Sequence, residues 1–434
     1  MNIDINKIAQ KASTAHKEGR FEEAIESYKK ILEYLPELAE AHSNLANLFH
    51  QIGKTNEAEV SYSKAIDLEP NNEQIHYNLG IFLKDLGRLD DAELSTKKAI
   101  ELKPNFREAH FSLGNIYRDL EKNQEAIEEY TKVLHLDPMH NRAKINLISS
   151  LNYFLPSNTS HPILVANKNL REIKNNFSLE NEITKIDLAN FYKKSNMNIT
   201  DNIRVLKYDK TQIYRSNSKN LGCQRHMKIF DKFKIIPKFC FNCFKIQIEP
   251  INVLELFKLF FIFDNLKIPG ENIRKCMVEL RPNVSGTYKG YIYCTNMQEA
   301  NKILKMIQPI IHKLIVCKIR IKRGCSEYVD IFPDYKITDK KDIRFMKYNN
   351  QWLEKEKKFD ATNFKKNMNQ KSAMNGLSLS DILIMNNWLN YAKEINDLSY
   401  KDISEEIFYS NIPRMMSEQI EIRKKEFDAI AKPN

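Results

Sequence analysis

Glycine is scarce in this chain. Of 434 residues only 11 are glycine, and six follow residue 150: Gly222, Gly270, Gly286, Gly290, Gly324 and Gly376. No two of the six are spaced as GxGxxG or as a phosphate-cradling loop, which argues against a nucleotide-binding Rossmann or P-loop enzyme. GxSxG and HExxH are missing too. Cys325 and Glu279 sit at the ends of expected strands, but no readable spacing sets a general base beside Cys325. The chain is therefore read as leaning away from an enzyme. The longest apolar run, Val253 to Phe263, contains Glu255 and Lys258 and is too short and too charged to span a bilayer. MNIDINKIAQ lacks a basic stretch ahead of an apolar one, so neither a signal peptide nor a membrane partner is expected. Seven cysteines, an odd number without a secretory signal, point to a reducing cytoplasm where thiols stay free or bind metal.

Charge is unevenly spread. Residues 1–150 carry 19 Lys+Arg against 25 Asp+Glu, a net of −6, and the remainder carries 48 against 31, a net of +17. An acidic part joined to a basic part implies two surfaces with different partners, the basic one suited to an anion such as RNA. Lysine outnumbers arginine 51 to 16, so composition alone accounts for much of that basicity.

The N-terminal third repeats itself every 34 residues. Ala24, Ala58, Ala92 and Ala126 stand in register, as do Pro36, Pro70, Pro104 and Pro138. So do Tyr28, Tyr62, Thr96 and Tyr130; Leu45, Leu79, Leu113 and Leu147; and Ala46, Gly80, Gly114 and Ile148. Small residues let two helices cross closely, an aromatic fills the next groove, and proline ends the second helix. These registers resemble the tetratricopeptide repeat, with units at 5–38, 39–72, 73–106 and 107–140 and a capping helix at 141–153. The segment AEAHSNLANLFHQIGKTNEAEVSYSKAIDLEP is similar to the repeats of O-linked N-acetylglucosamine transferases. That resemblance implies an all-α solenoid whose concave groove binds a peptide or partner protein. It also implies that an asparagine ladder, here Asn44, Asn78, Ser112 and Asn146, grips the peptide backbone, since an amide offers both a donor and an acceptor. Asn47, Asn115, Tyr77 and Phe111 neighbour the ladder in the same groove. The competing reading is that these asparagines brace adjacent helices.

Residues 154–221 read as a helical linker. After it, Cys223-x2-His226 and Cys240-x2-Cys243 are separated by thirteen residues. Two ligand pairs on short turns would complete a tetrahedral shell for one structural zinc, with no open position for catalysis. Buried free thiols are the plainer alternative.

From Lys245 the pattern alternates as strand, helix, strand, strand, helix, strand, ending near Arg323. That order predicts a ferredoxin-like α+β domain within 222–324, followed by a helical region at 325–434. The RNA recognition motif shares the order, and Lys289-Gly290-Tyr291-Ile292-Tyr293 partly resembles its third strand. Tyr291 and Tyr293 would share one sheet face, with Lys318, Arg320 and Lys322 along the last strand. The chain is thus expected to be a multidomain adaptor: a repeat solenoid coupled to a C-terminal domain of unknown ligand. RNA binding and a protein-modifying activity fed by the groove are the alternatives.

Overall fold

The computed structural model describes residues 4–157, 160–173, 177–206, 208–215, 221–270, 272–281, 284–363, 373–374, 376–407 and 417–431. They divide into two compact units, Met1–Ser150 and Leu151–Asn434.

The first unit is a run of helical hairpins: α1 (Ile5–Lys17) and α2 (Phe21–Tyr34), α3 (Ala39–Gln51) and α4 (Thr55–Leu68), α5 (Glu73–Asp85) and α6 (Leu89–Leu102), α7 (Arg107–Asp119) and α8 (Asn123–Leu136), closed by α9 (Asn141–Ser150). Each second helix stops two residues before its proline, at Tyr34, Leu68, Leu102 and Leu136. The residue preceding proline is pushed out of helical geometry, so the chain turns there. Within a hairpin the turn needs a left-handed residue. Gly53 supplies it at φ +77°, whereas the fourth repeat uses Glu121 at φ 60° and accepts the Cβ crowding. Ala24, Ala58, Ala92 and Ala126 are wholly buried at the helix crossings. At Gly114 the crossing is tighter still: a Cβ there would lie 2.7 Å from the Tyr130 ring. Each large side chain buried here, such as Phe82 and Tyr130, contributes about 1.5–3 kcal/mol, offset by the entropy of ordering the chain.

The second unit is built on an antiparallel sheet. Its strands are β1 (Gln212–Arg215), β2 (Phe244–Pro250), β3 (Arg274–Val278), β4 (Tyr288–Cys294) and β5 (Cys317–Arg323), in the order β1-β3-β4-β2-β5. Between strands run α14 (Val253–Asn265) and α15 (Met297–Leu314), both packed on the sheet and on each other. The remaining helices are α10 (Pro162–Glu172), α11 (Lys185–Asn196), the short α12 (Asp201–Arg204), α13 (Cys223–Phe233), α16 (Trp352–Asn363), α17 (Leu379–Glu394) and α18 (Ser417–Ala431).

Strand alternation decides the two faces. Ile246, Ile248 and Ile292 are fully buried toward α14, and Gly290 lets Leu259 and Phe263 of that helix approach. Trp388 of α17 meets Phe257 of α14 edge-on at 5.8 Å, which puts this tryptophan in the core. The opposite face carries Lys245, Gln247, Lys275, Lys289, Tyr291, Tyr293 and Lys322. Among the described residues, no helix is long and apolar enough to cross a membrane.

Candidate functional site

In the repeat unit, the ladder positions recur on α3, α5, α7 and α9, and their side chains have different occupations. Asn78 accepts from Gln74 at 2.9 Å and donates to Ser43 at 3.4 Å. Asn146 donates to Asn115 Oδ1 at 2.8 Å. Asn47 and Asn115 in turn accept from the hydroxyls of Tyr62 at 2.5 Å and Tyr130 at 2.9 Å. These two asparagines, next to the ladder register, brace the paired helices through tyrosine hydroxyls. Among the described residues Asn44 and Ser112 make no side-chain hydrogen bond, and Asn44 is half-exposed whereas Ser112 is buried. Tyr77 packs on Phe106 at 5.0 Å, and Phe111 lies between Tyr130 and His140 at 6.0 and 4.8 Å, so each ring is engaged within its own repeat.

Asn44 opens onto a cavity of about 890 Å³ between α1, α2 and α3. Its wall mixes polar groups (Ser13, His16 and Gln51) with apolar ones such as Tyr28 and Ile31. A volume of this size suits a short stretch of peptide or a small ligand.

A second ladder escaped the sequence reading. His42, His76 and His110 stand 34 residues apart, and each ring nitrogen Nε2 contacts a carbonyl, of Pro36, Pro70 and Pro104, at 2.8–2.9 Å. Each pins the end of one hairpin to the start of the next. The period was visible in the sequence; the carbonyl partner was not. His110 also reaches Glu129 through Nδ1 at 2.5 Å, both groups being buried. Burial alone would lower its pKa, but the bonds to Glu129 and Pro104 outweigh that and raise it.

The four proposed zinc ligands are not gathered at one point. Cys223 and His226 lie on α13 rather than on a short turn. His226 stacks on Phe239 with rings 5.3 Å apart, and burial lowers its pKa to about 4. Cys240, on a tight turn at Lys238–Phe241, has its sulfur 3.3 Å from the Tyr328 hydroxyl. The neighbouring Cys325 thiol raises the Cys240 pKa, and Cys240 lowers that of Cys325. Cys243 abuts Gly324, and burial raises its pKa to about 12. Among the described residues no three His, Cys, Asp or Glu side chains are grouped to hold a metal ion.

The sheet face assembles differently from a base-stacking platform. Tyr291 and Tyr293 do share a face, with rings 6.2 Å apart. Tyr291, however, is only 2% exposed, and Lys245 Nζ sits 4.5 Å above its ring, so no open ring face remains for a base. Lys289 is fully buried and paired with Glu279 at 3.1 Å. Arg320 is exposed but paired with Glu249 at 2.8 Å, Lys318 is exposed, and Lys322 is half-buried. Burial would raise the Glu279 pKa, yet bonds from Arg281 and Lys289 hold it at about 2. Glu279 is thus an ion-pair anchor, not a proton acceptor.

The family models that match this chain all fall within the helical array. Tetratricopeptide repeat models match residues 14–53, 46–87, 73–106 and 107–140. Residues 14–140 are tetratricopeptide repeats, and the chain is a repeat protein of that kind. Among solved structures it is similar to MamA from Desulfovibrio magneticus RS-1, at 20% identity over 35% of this chain and 85% of that one, with a TM-score of 0.32. It is also similar to YrrB, described as a TPR protein with an unusual peptide-binding site, at 23% identity over 44% and 84% of the two chains and a TM-score of 0.30. A third is TTC0263, a thermophilic TPR protein from Thermus thermophilus, at 23% identity over 34% and 81%, with a TM-score of 0.31. No curated protein matches this chain.

Proposed function

We propose that the repeat unit is a protein-interaction module that binds an extended peptide segment of a partner in the groove between α1 and α3. The observation that carries this reading is Asn44. Its amide lines the cavity of about 890 Å³ and has no internal partner among the described residues, so it is available to a peptide unit. Repeat solenoids work through such surfaces, stacked units burying a continuous core and presenting their first helices. The wider ladder does not contribute equally: Asn78 and Asn146 are already bonded within the array, and binding there would exchange one hydrogen bond for another. We further read β2-α14-β3-β4-α15-β5 as a ferredoxin-like arrangement. The inner strand order β3-β4-β2-β5 and the packing of both helices on the sheet support it.

The test is site-specific photocrosslinking in the full chain, with a photoreactive residue at Asn44 and, as control, at Val60, which is 71% exposed on α4. The module reading expects crosslinks to a discrete partner from Asn44, which excess partner peptide abolishes. Equal crosslinking from Val60, or none from Asn44 in cells where the protein is folded, would overturn it.

A further inference from the structure

Three lysines on the polar face of the sheet lack the partners that buried ammonium groups ordinarily require. Lys245 is 4% exposed, and Lys275 and Lys322 are half-buried. Strand register places them together: Lys245 lies opposite Lys322 on β5, and Lys275 stands opposite Tyr291, beside Lys245's position across β4. None of the three has a carboxylate within 4 Å among the described residues, although every nearby acid does have a cation. Glu279 is held by Arg281 and Lys289, Glu249 by Arg320, and Glu327 by Arg281. Around these three lysines every nearby carboxylate is therefore already taken by another cation.

Isolated buried charges are costly, and natural sites keep them only when something pairs them. Tyrosine rings supply part of the compensation. Lys245 lies 4.5 Å from the Tyr291 centroid, and Lys275 is 5.4 Å from Tyr214 and 5.9 Å from Tyr291. A cation–π contact is worth only about 0.5–2 kcal/mol, well short of replacing an ion's hydration. The Tyr291 hydroxyl is also buried without a hydrogen-bond partner. A phenol in that position still has a proton to donate, as do the ammonium groups around it. Beside the lysines lies a cavity of about 470 Å³ that includes Lys322, Arg281, Ser326 and Cys325. That size is ordinary for a small-molecule site.

We propose that the polar face of this sheet, with the adjoining cavity, binds a small phosphorylated ligand, its phosphate oxygens meeting Lys245, Lys275 and Lys322 and the rest of the molecule lying in the cavity past Arg281. A phosphate matches the set because it brings two or more negative charges and only acceptors to a cluster of donors. A nucleic-acid strand fits poorly. Tyr291 is covered, Arg320 is already paired with Glu249, and the exposed Lys318 stands four residues along β5 from Lys322.

Burial lowers the pKa of Lys275 to about 8 and that of Lys322 to about 7. The neighbours facing these two are Lys245, Lys289, Arg281, Arg320, Glu249, Glu279 and Glu327. At pH 8 Lys275 is thus about half protonated and Lys322 mostly neutral without ligand, and a bound phosphate draws protons onto them. Sign follows: affinity rises as pH falls from about 8.5 to about 6.5, until the phosphate itself takes up a proton.

The probe is inorganic pyrophosphate, titrated calorimetrically into the full chain in two buffers of different ionisation enthalpy. The expected results are saturable binding with net proton uptake near pH 8, and about tenfold weaker binding in Lys322→Gln. Lys318→Gln, which removes an exposed charge from the same edge strand, should change affinity less than about twofold. If Lys322→Gln does not fold, Lys275→Gln takes its place, and the proton uptake of the unaltered protein is read in either case. Three results would overturn the proposal: no binding of pyrophosphate at about 10 mM to folded protein; equal losses in Lys318→Gln and Lys322→Gln, which means diffuse charge; or a uridine oligonucleotide that outcompetes pyrophosphate through Lys318 and Arg320, which means a nucleic-acid surface.

Discussion

The Tyr130 hydroxyl donates to Asn115 Oδ1 at 2.9 Å, tying the second helix of the fourth repeat to its first, and Asn146 donates to the same oxygen from α9. Asn115 is therefore a structural joint, whereas Asn44, on the first helix of the second repeat, has no internal partner among the described residues. Asn115→Ala should cost about 1–3 kcal/mol, because two donors lose their acceptor. Asn44→Ala should leave stability within about 0.5 kcal/mol and weaken partner binding by about 0.5–1.5 kcal/mol. Urea unfolding followed by amide exchange in α7 and α8, beside a binding titration, separates the two. Equal stability losses at both positions would refute the distinction.

The two helix-crossing glycines should respond unequally to alanine. Glycine inside a helix costs about 0.5–1 kcal/mol relative to alanine, so each substitution starts with that gain. At Gly114 the new methyl would sit 2.7 Å from a buried tyrosine ring that has nowhere to move, and overpacking costs about 1–3 kcal/mol. At Gly80 the atom in the way is the Thr96 hydroxyl, which a χ1 rotation removes. Gly114→Ala should be destabilising and Gly80→Ala close to neutral, while Gly80→Leu should unfold the repeat. Circular dichroism melts of the three variants check the order.

The difference between what was legible and what was not follows from distance along the chain. A 34-residue period writes the repeat unit into local sequence, down to the proline that stops each second helix. Alternation likewise marks β2, β4 and β5. By contrast β1 is four residues long and pairs on one side only. Arg215 holds it through Asp264 at 2.5 Å and Asp381 at 3.0 Å, partners far along the chain that no local pattern reveals. The surroundings of the Cys/His pairs were not legible for a related reason. The spacing fits paired ligands on turns, whereas residues 223–233 form a helix and His226 stacks on Phe239. The neighbour that Cys240 finds is Cys325, which lies beyond the Cys223–Cys243 stretch that holds the motif. Period two placed Tyr291 and Tyr293 on one face, and it could equally have placed Lys245 there, which covers the ring.

His110 should make the fourth repeat sensitive to pH. A neutral imidazole has one N–H and cannot donate both to Glu129 and to the Pro104 carbonyl; the imidazolium satisfies both. The His110 pKa is raised in the folded state, so its contribution is full below the ordinary histidine value and disappears as pH rises through the raised value. The pKa of Glu129 is lowered: burial opposes this, but His110 and Lys132 outweigh it. Its contribution is present above the ordinary glutamate value and lost as pH falls through the lowered one. Protection of α7 and α8 amides should therefore peak near about pH 5–6 and decline toward about pH 9. In His110→Gln the alkaline decline should vanish, at a cost of about 1–3 kcal/mol near pH 6. An unchanged decline in that variant would assign it to other groups.

Asp397 should be among the most sensitive positions in the C-terminal unit. It is 1% exposed, and its carboxylate accepts from the Val253 amide at 2.7 Å and the Tyr288 hydroxyl at 2.6 Å. The other oxygen accepts from the Ser399 amide and hydroxyl at 3.1 and 2.7 Å. Val253 opens α14, whose first amides have no partner within the helix, so the carboxylate both caps it and meets the positive end of its dipole. Burial, reinforced by Asp397, raises the Tyr288 pKa well above the usual phenol value and keeps that hydroxyl a donor. Asp397→Asn turns one oxygen into a donor and sets it against donors, so about 1–3 kcal/mol should be lost. Asp397→Ala strands all four groups and should cost about 3–5 kcal/mol. Tyr288→Phe removes one bond, for about 1 kcal/mol. Because Tyr288 and Asp397 share that bond, Tyr288→Phe combined with Asp397→Ala should cost less than the two single losses together. Chemical unfolding monitored by Trp388 fluorescence measures all four variants. Strict additivity, or an Asp397→Ala loss under about 0.5 kcal/mol, would show that the carboxylate does not hold α14 to the sheet.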